Sequence, residues 1–184
     1  TDLPVYHPDV TVYTVYDADG SELALFYFDP WTRDNKQGGA WMSNFVEQSH
    51  LFGTRPVVFN VQNSPKPAPG QPLLISVDDA NTMFHEFGHA LHGILSNQRY
   101  PSIAGANTAR DFVEFPSQFN ENWMMEPRVF ANFAKHYKTG EPMPKALVER
   151  VQKAQRFNQG YALGELVSAA LLDQQWHALP ASAG

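Results

Sequence analysis

Residues 85–89 read His-Glu-Phe-Gly-His. On an α-helix, positions four apart lie on one face, a single turn from each other. Two imidazoles so placed can converge on one tetrahedral zinc ion, and Glu86 then stands beside the metal, within reach of its bound water. That is the layout of metal-assisted hydrolysis: two ligands and a general base supplied by one short helical segment. The setting is apolar, with Met83-Phe84 before the motif and Ala90-Leu91 after it. His85 and His89 could instead be ordinary packed histidines, but spacing and context together favour the metal. His92 offers a competing pair with His89. It lies two turns from His85, ~10.5 Å along the helix axis, and no carboxylate falls between it and His89. His92 therefore reads as a packing residue or as a partner behind the ligands.

A catalytic zinc typically takes three protein ligands and keeps an open position. The chain has no cysteine, so the third ligand must be a histidine or a carboxylate. Glu114, in Asp111-Phe112-Val113-Glu114-Phe115-Pro116, is the best placed, at the start of a following helix that can pack antiparallel to the first. Asp111 and Glu121 are the alternatives, and either could act from behind the ligands. Glu121, two turns beyond Glu114 on the same face, could hydrogen-bond a ligand histidine.

The elements that must position these residues follow from local chemistry. Val10 to Val15 is a β-branched and aromatic run, Asp17-Ala18-Asp19-Gly20 supplies a turn, and Glu22 to Asp29 is a second strand, so the two predict a hairpin. Pro30 to Gly39 predicts a loop, Ala40 to Phe45 and Arg55 to Gln62 two more strands, and the proline-rich Asn63 to Pro72 another loop. Ser76 or Asp78 can cap a helix from about Asp79 to Ser96, with acidic residues at its positive end. Residues 97–110 predict a loop. A second helix begins within Phe112 to Pro116 and reaches Met125, a third lies between Pro127 and Gly140, and Lys145 to Leu179 is helical, with Gly160 and Gly164 as possible breaks. The expected fold is α+β: one partial catalytic domain over residues 1–184, with a β-rich part at 1–75 and a mainly helical, metal-binding part at 76–184.

Composition bounds the function. Of 184 residues, 43% are hydrophobic and 17% charged, which is globular composition. The formal charge of −6 comes without any basic block, which argues against nucleic acid or an anionic membrane as partner. No run approaches the ~18 apolar residues of a membrane span, and residues 1–10 lack the features of a signal peptide. The absence of cysteine fits a reducing cytoplasm, the expected location, although small secreted bacterial proteins, periplasmic ones included, can also lack cysteine. The chain opens on Thr1, with strand-like sequence within ten residues, which reads as a piece trimmed from something longer.

Beyond the motif, the chain resembles the zinc oligopeptidases that include thimet oligopeptidase, oligopeptidase A and bacterial dipeptidyl carboxypeptidase. The resemblance runs through Tyr6-His7-Pro8-Asp9-Val10, Phe28-Asp29-Pro30, Gly38-Gly39-Ala40-Trp41-Met42, Phe84-His85-Glu86-Phe87-Gly88-His89, Asp111 to Gln118 and Phe157-Asn158-Gln159-Gly160-Tyr161. The wording around Glu114 and the segment Leu171-Leu172-Asp173 are most similar to the dipeptidyl carboxypeptidase branch. The resemblance implies one zinc ion on His85, His89 and Glu114, Glu86 as catalytic base, and Gly38, Gly39 and Ala40 as an edge offering backbone hydrogen bonds to an extended peptide. The implied substrates are short unstructured peptides, with release of C-terminal dipeptides. Family members are several times longer. The resemblance thus implies, in a longer parent, a helical domain upstream and a Tyr-rich segment downstream whose His and Tyr steady the tetrahedral intermediate. Ala106 stands where the family usually carries threonine, and Tyr161 reads as a packing residue rather than a substitute for the downstream tyrosine.

Overall fold

The computed structural model describes residues 3–180 and 182. They fall into two compact units, divided between Phe133 and Ala134.

The first unit opens with a four-stranded mixed sheet: β1 (Thr11–Tyr16), β2 (Glu22–Trp31), β3 (Trp41–Val46) and β4 (Val57–Ser64), in the order β1-β2-β4-β3. β1 and β2 form the expected antiparallel hairpin, turned at Gly20 with φ +85°. β2 and β4 run parallel, and β3 pairs antiparallel to β4 as an edge strand. The sequence predicts a loop from Pro30, yet β2 continues through Trp31. A register irregularity between Asp29 and Trp31 lets Pro30, which has no N–H to give, sit inside the strand without breaking a ladder bond.

α1 (Val77–Ile94) lies on the sheet. Its N-cap is Ser76, not Asp78: the Ser76 hydroxyl accepts from Asp79 N–H at 2.9 Å, and the Asp79 carboxylate accepts from Ser76 N–H at 3.1 Å. This reciprocal box satisfies two otherwise orphaned donors and places the start of the helix two residues ahead of Asp79. Ala90 and Ile94 pack on Ala24, Phe26 and Val58 to form the core cluster. Gly93 sits flush against the sheet; a Cβ there would lie 2.8 Å from Met42 Cε and 3.2 Å from Val58 Cγ2.

Residues 97–110 hold only a 3₁₀ turn at Pro101–Ile103. α2 (Glu114–Glu121) is shorter than the run to Met125 that the sequence suggests, and α3 is only Pro127–Phe133.

In the second unit, Lys135 bridges Pro142 across a turn at Gly140, φ +71°, so the third helix does not extend toward that glycine. α4 (Lys145–Gln155) and α5 (Gln159–His177) follow. The break between them is at Asn158, left-handed at φ +57°, and not at Gly160 or Gly164, which both lie inside α5. Asparagine tolerates that conformation better than other residues with a side chain. Tyr161, expected to pack, is 71% exposed, and Leu163, Leu166, Leu171, Leu172 and Trp176 are exposed on the same helix. Among the described residues no helix is long and apolar enough to cross a membrane.

Candidate metal centre

The site forms where α1 and α2 cross. Asn81 meets Glu121, Phe84 meets Asn120, and His89 meets Glu114, so the helices run in opposite directions, as the sequence predicts. Close approach is possible because Gly88 faces Ser117: a Cβ on Gly88 would lie 2.6 Å from Ser117 Cα and 2.7 Å from the Pro116 carbonyl oxygen. Ser117 is fully buried at that crossing.

Two turns of α1 and the first turn of α2 are thereby brought together. One ligand atom from each of His85, His89 and Glu114 lies within 4.8 Å of the other two. Glu114 Oε2 is 3.2 Å from His85 Nε2 and 3.0 Å from His89 Nε2. Three atoms bound to one ion at ~2.0–2.1 Å in a tetrahedron would be about 3.3 Å apart, so these separations fit ligands converging on a common metal. The donor set, two imidazoles and one carboxylate, matches a catalytic centre with an open position. His92 is outside the group; its ring packs edge-on to Phe112 at 6.3 Å.

The surroundings orient these atoms. Glu121 Oε1 accepts from His85 Nδ1 at 2.7 Å. A carboxylate can only accept, so Nδ1 carries the hydrogen and the Nε2 lone pair is left free for an ion. Ser117 donates its hydroxyl to Glu114 Oε2 at 2.8 Å. Burial pushes the Glu114 carboxyl up, but the Ser117 hydroxyl and the two imidazoles outweigh that and hold it below the usual carboxylate range. Burial depresses the His89 pKa against the opposing pull of the Glu114 carboxylate, a shift that favours the neutral ring an ion needs.

Glu86 is 6% exposed, and its Oε2 has no hydrogen-bond partner among the described residues. Burial raises its pKa; the neighbouring His85 opposes the shift and Glu114 adds to it. A pocket of about 330 Å³ opens over these groups, lined by His85, Glu86, His89, Glu114, Val113, Ala106, Ala40, Trp41 and Met42.

Of the sequence-derived site residues, the structure thus brings together His85, Glu86, His89, Glu114 and Glu121. Asp111 is exposed and takes part in none of the hydrogen bonds of this cluster. Ala40 lines the pocket, at the entrance to edge strand β3, whereas Gly38 and Gly39 are exposed and outside the lining. Gly39, at φ +94°, offers its carbonyl to Asn63 Nδ2 at 2.8 Å. Ser117 and Asn81 escaped sequence reasoning although their spacing was available: Ser117 is three residues after Glu114, and Asn81 four before His85.

Comparison with known proteins places this geometry. Dipeptidyl carboxypeptidase of Salmonella typhimurium is 58% identical over 181 residues, covering 98% of this chain and 27% of the relative. Dipeptidyl carboxypeptidase of Escherichia coli is 57% identical, covering 97% and 26%. Oligopeptidase A of Escherichia coli is 37% identical, covering 96% and 27%. The chain therefore spans about a quarter of the length of these curated relatives. The model of peptidase family M3 matches residues 1–183, and with His85, His89 and Glu114 disposed to hold a metal ion, the chain belongs to peptidase family M3.

Proposed function

We propose that this chain is the zinc-binding core of a metallopeptidase that hydrolyses short peptides, of the peptidyl-dipeptidase type. The observation that carries the reading is the meeting of His85, His89 and Glu114 beside a buried Glu86. The dipeptide preference is supported by similarity: the relatives named dipeptidyl carboxypeptidase are 57–58% identical, against 37% for oligopeptidase A.

A zinc ion in this site supplies Lewis acidity toward water and a peptide carbonyl. The chain's own residues do the rest. His85 and His89 present Nε2, Glu114 adds its carboxylate, and Glu121 and Ser117 hold two of those three in orientation. Glu86, with its affinity for protons raised by burial, is suited to take a proton from the attacking water and return it to the leaving amine. Edge strand β3 has one side unpaired in the sheet and borders the pocket through Trp41 and Met42, so its backbone can receive an extended peptide as an added strand.

Two measurements test this. Zinc at a thousandfold excess over its dissociation constant should stabilise the chain by about 4 kcal/mol, and His85→Ala should abolish that gain. An unchanged unfolding midpoint with zinc in the unsubstituted chain would sink the centre. Glu86→Gln should keep the zinc and lower cleavage of a quenched peptide by ~10²–10⁴-fold; undiminished, chelator-sensitive cleavage by that variant would remove Glu86 from the role.

A second reading, zinc binding with little turnover, is favoured by the fraction of the relatives' length covered and by the apolar side chains exposed along α5, since contiguous exposed apolar surface normally marks a contact face. Loss of a single donor to the developing oxyanion typically costs ~10²–10³ in rate. Stoichiometric zinc without chelator-sensitive cleavage would select this reading.

A further inference from the structure

Asn81, His85 and His89 stand in one row on α1, each a turn from the next, and Glu121 and Glu114 face that row from α2, two turns apart. The Glu121 carboxylate is divided between two donors. Oε1 accepts from His85 Nδ1 at 2.7 Å, and Oε2 accepts from Asn81 Nδ2 at 3.0 Å. The last torsion of a glutamate side chain is broad and close to two-fold, and the Glu121 side chain is 30% exposed. With a single bond to the histidine, its carboxylate would remain free to swing toward solvent. The Asn81 amide pins the second oxygen and so sets the plane in which the first one faces the ring.

We infer that Asn81 is a positioning residue for the metal centre: it holds Glu121, which holds His85 Nδ1, which leaves His85 Nε2 aimed at Glu114. The inference rests on the metal-centre reading above and extends it by one residue with no direct access to the ion. The opposing view is that Asn81 only ties α1 to α2. The molecule contains a control for that view in Asn120, whose Nδ2 donates to the Phe84 carbonyl at 2.7 Å and joins the same helices without a bond to the Glu121 carboxylate.

The test is the zinc dissociation constant of the 184-residue chain, measured by chelator competition, together with the visible spectrum of the cobalt(II)-loaded protein. Asn81→Ala should weaken zinc binding about three- to tenfold and shift the cobalt spectrum, below the ~10–100-fold loss typical of removing a direct partner such as Glu121. In a Glu121→Ala background, Asn81→Ala should add nothing. Asn120→Ala should lower thermal stability and leave the spectrum in place. If Asn81→Ala does not fold, Asn81→Ser, which keeps a small polar side chain too short to reach Glu121, takes its place. Unchanged affinity in the Asn81 variant, an equal loss in both backgrounds, or an equal spectral shift in Asn120→Ala would each overturn the role. Failure of the unsubstituted chain to bind zinc is a different result, which removes the centre as a whole.

Discussion

Gly88→Ala is expected to weaken zinc binding by more than about tenfold, although Gly88 is not a ligand. The added methyl would sit 2.6 Å from Ser117 Cα, 2.7 Å from the Pro116 carbonyl oxygen and 2.9 Å from Asn120 Cβ. Two of these three atoms are backbone, so no side-chain rotation relieves the contact. Ordinary contact begins near 3.4 Å, and α2 must therefore move by about 0.8 Å. Glu114 is carried by that helix, three residues before Ser117. Zinc–ligand distances tolerate only about ±0.2 Å, so a shift of this size takes the carboxylate out of register with His85 and His89. Alanine also improves the helix propensity of α1 by ~0.8–1 kcal/mol over glycine, which offsets part of the ~1–3 kcal/mol cost of overpacking. The informative signature is thus a large loss of affinity beside a modest loss of stability. Retained zinc affinity in Gly88→Ala would mean that the α1–α2 crossing does not set the position of Glu114.

The largest loss of stability is expected from Asp29→Asn. Asp29 is 1% exposed and carries a dense set of bonds. Arg33 reaches both carboxylate oxygens at 2.7 Å, Lys36 Nζ lies 3.0 Å from Oδ1, and the Tyr6 hydroxyl donates to Oδ2 at 2.9 Å. Lys36 Nζ also donates to the Asp29 and Trp31 carbonyls, each at 2.8 Å, and its side chain is only 4% exposed. Neutralising Asp29 removes the anion that the buried ammonium and the guanidinium both contact directly, and breaking such a buried pair typically costs about 3–5 kcal/mol out of a total of ~5–15 kcal/mol. The network also pins the segment that leads from β2 to Ala40, Trp41 and Met42, so the pocket wall should loosen with it.

The pH dependence of this network has a defined sign. Burial pushes the Asp29 carboxyl up, but the bonds from Arg33, Lys36 and Tyr6 prevail and hold it below the usual carboxylate range. The same environment lifts the Tyr6 hydroxyl to about 12, through burial first and its bond to Asp29 second. A carboxyl depressed in the folded state contributes stability that is fully present above its unfolded value of ~3.9 and is lost as pH falls through the folded value. The gap between the parent chain and Asp29→Asn in urea unfolding should therefore be widest at neutral pH and close progressively below pH ~4. A gap of constant size down that acid range would mean that the variant acts through packing and not through charge.

Legibility in the sequence followed the range of the interactions. The spacing of His85, Glu86 and His89 belongs to one helix, whose 3.6-residue turn relates the side chains without reference to any other part of the chain. The β1–β2 hairpin, turned at Gly20, is local in the same sense and could be read directly, whereas the helix cap was narrowed only to Ser76 or Asp78. Even local chemistry had two readings at Pro30, where a strand irregularity absorbed a residue that normally ends strands, and at Asn158, which broke the last helix in place of two nearby glycines.

Relative placement was another matter. That Glu114 faces the histidines and Asp111 does not, that Glu121 stands behind His85, and that Ala40 borders the pocket while Gly38 and Gly39 do not, all depend on how α2 crosses α1 and how β3 edges the sheet. Those arrangements are decided by contacts between residues far apart in the chain, above all the approach of Gly88 to Ser117 and of Gly93 to Met42 and Val58. Spacing along a chain sets angles within a helix; only close packing between elements sets the distance from one helix to the next, and a metal centre is a matter of distance.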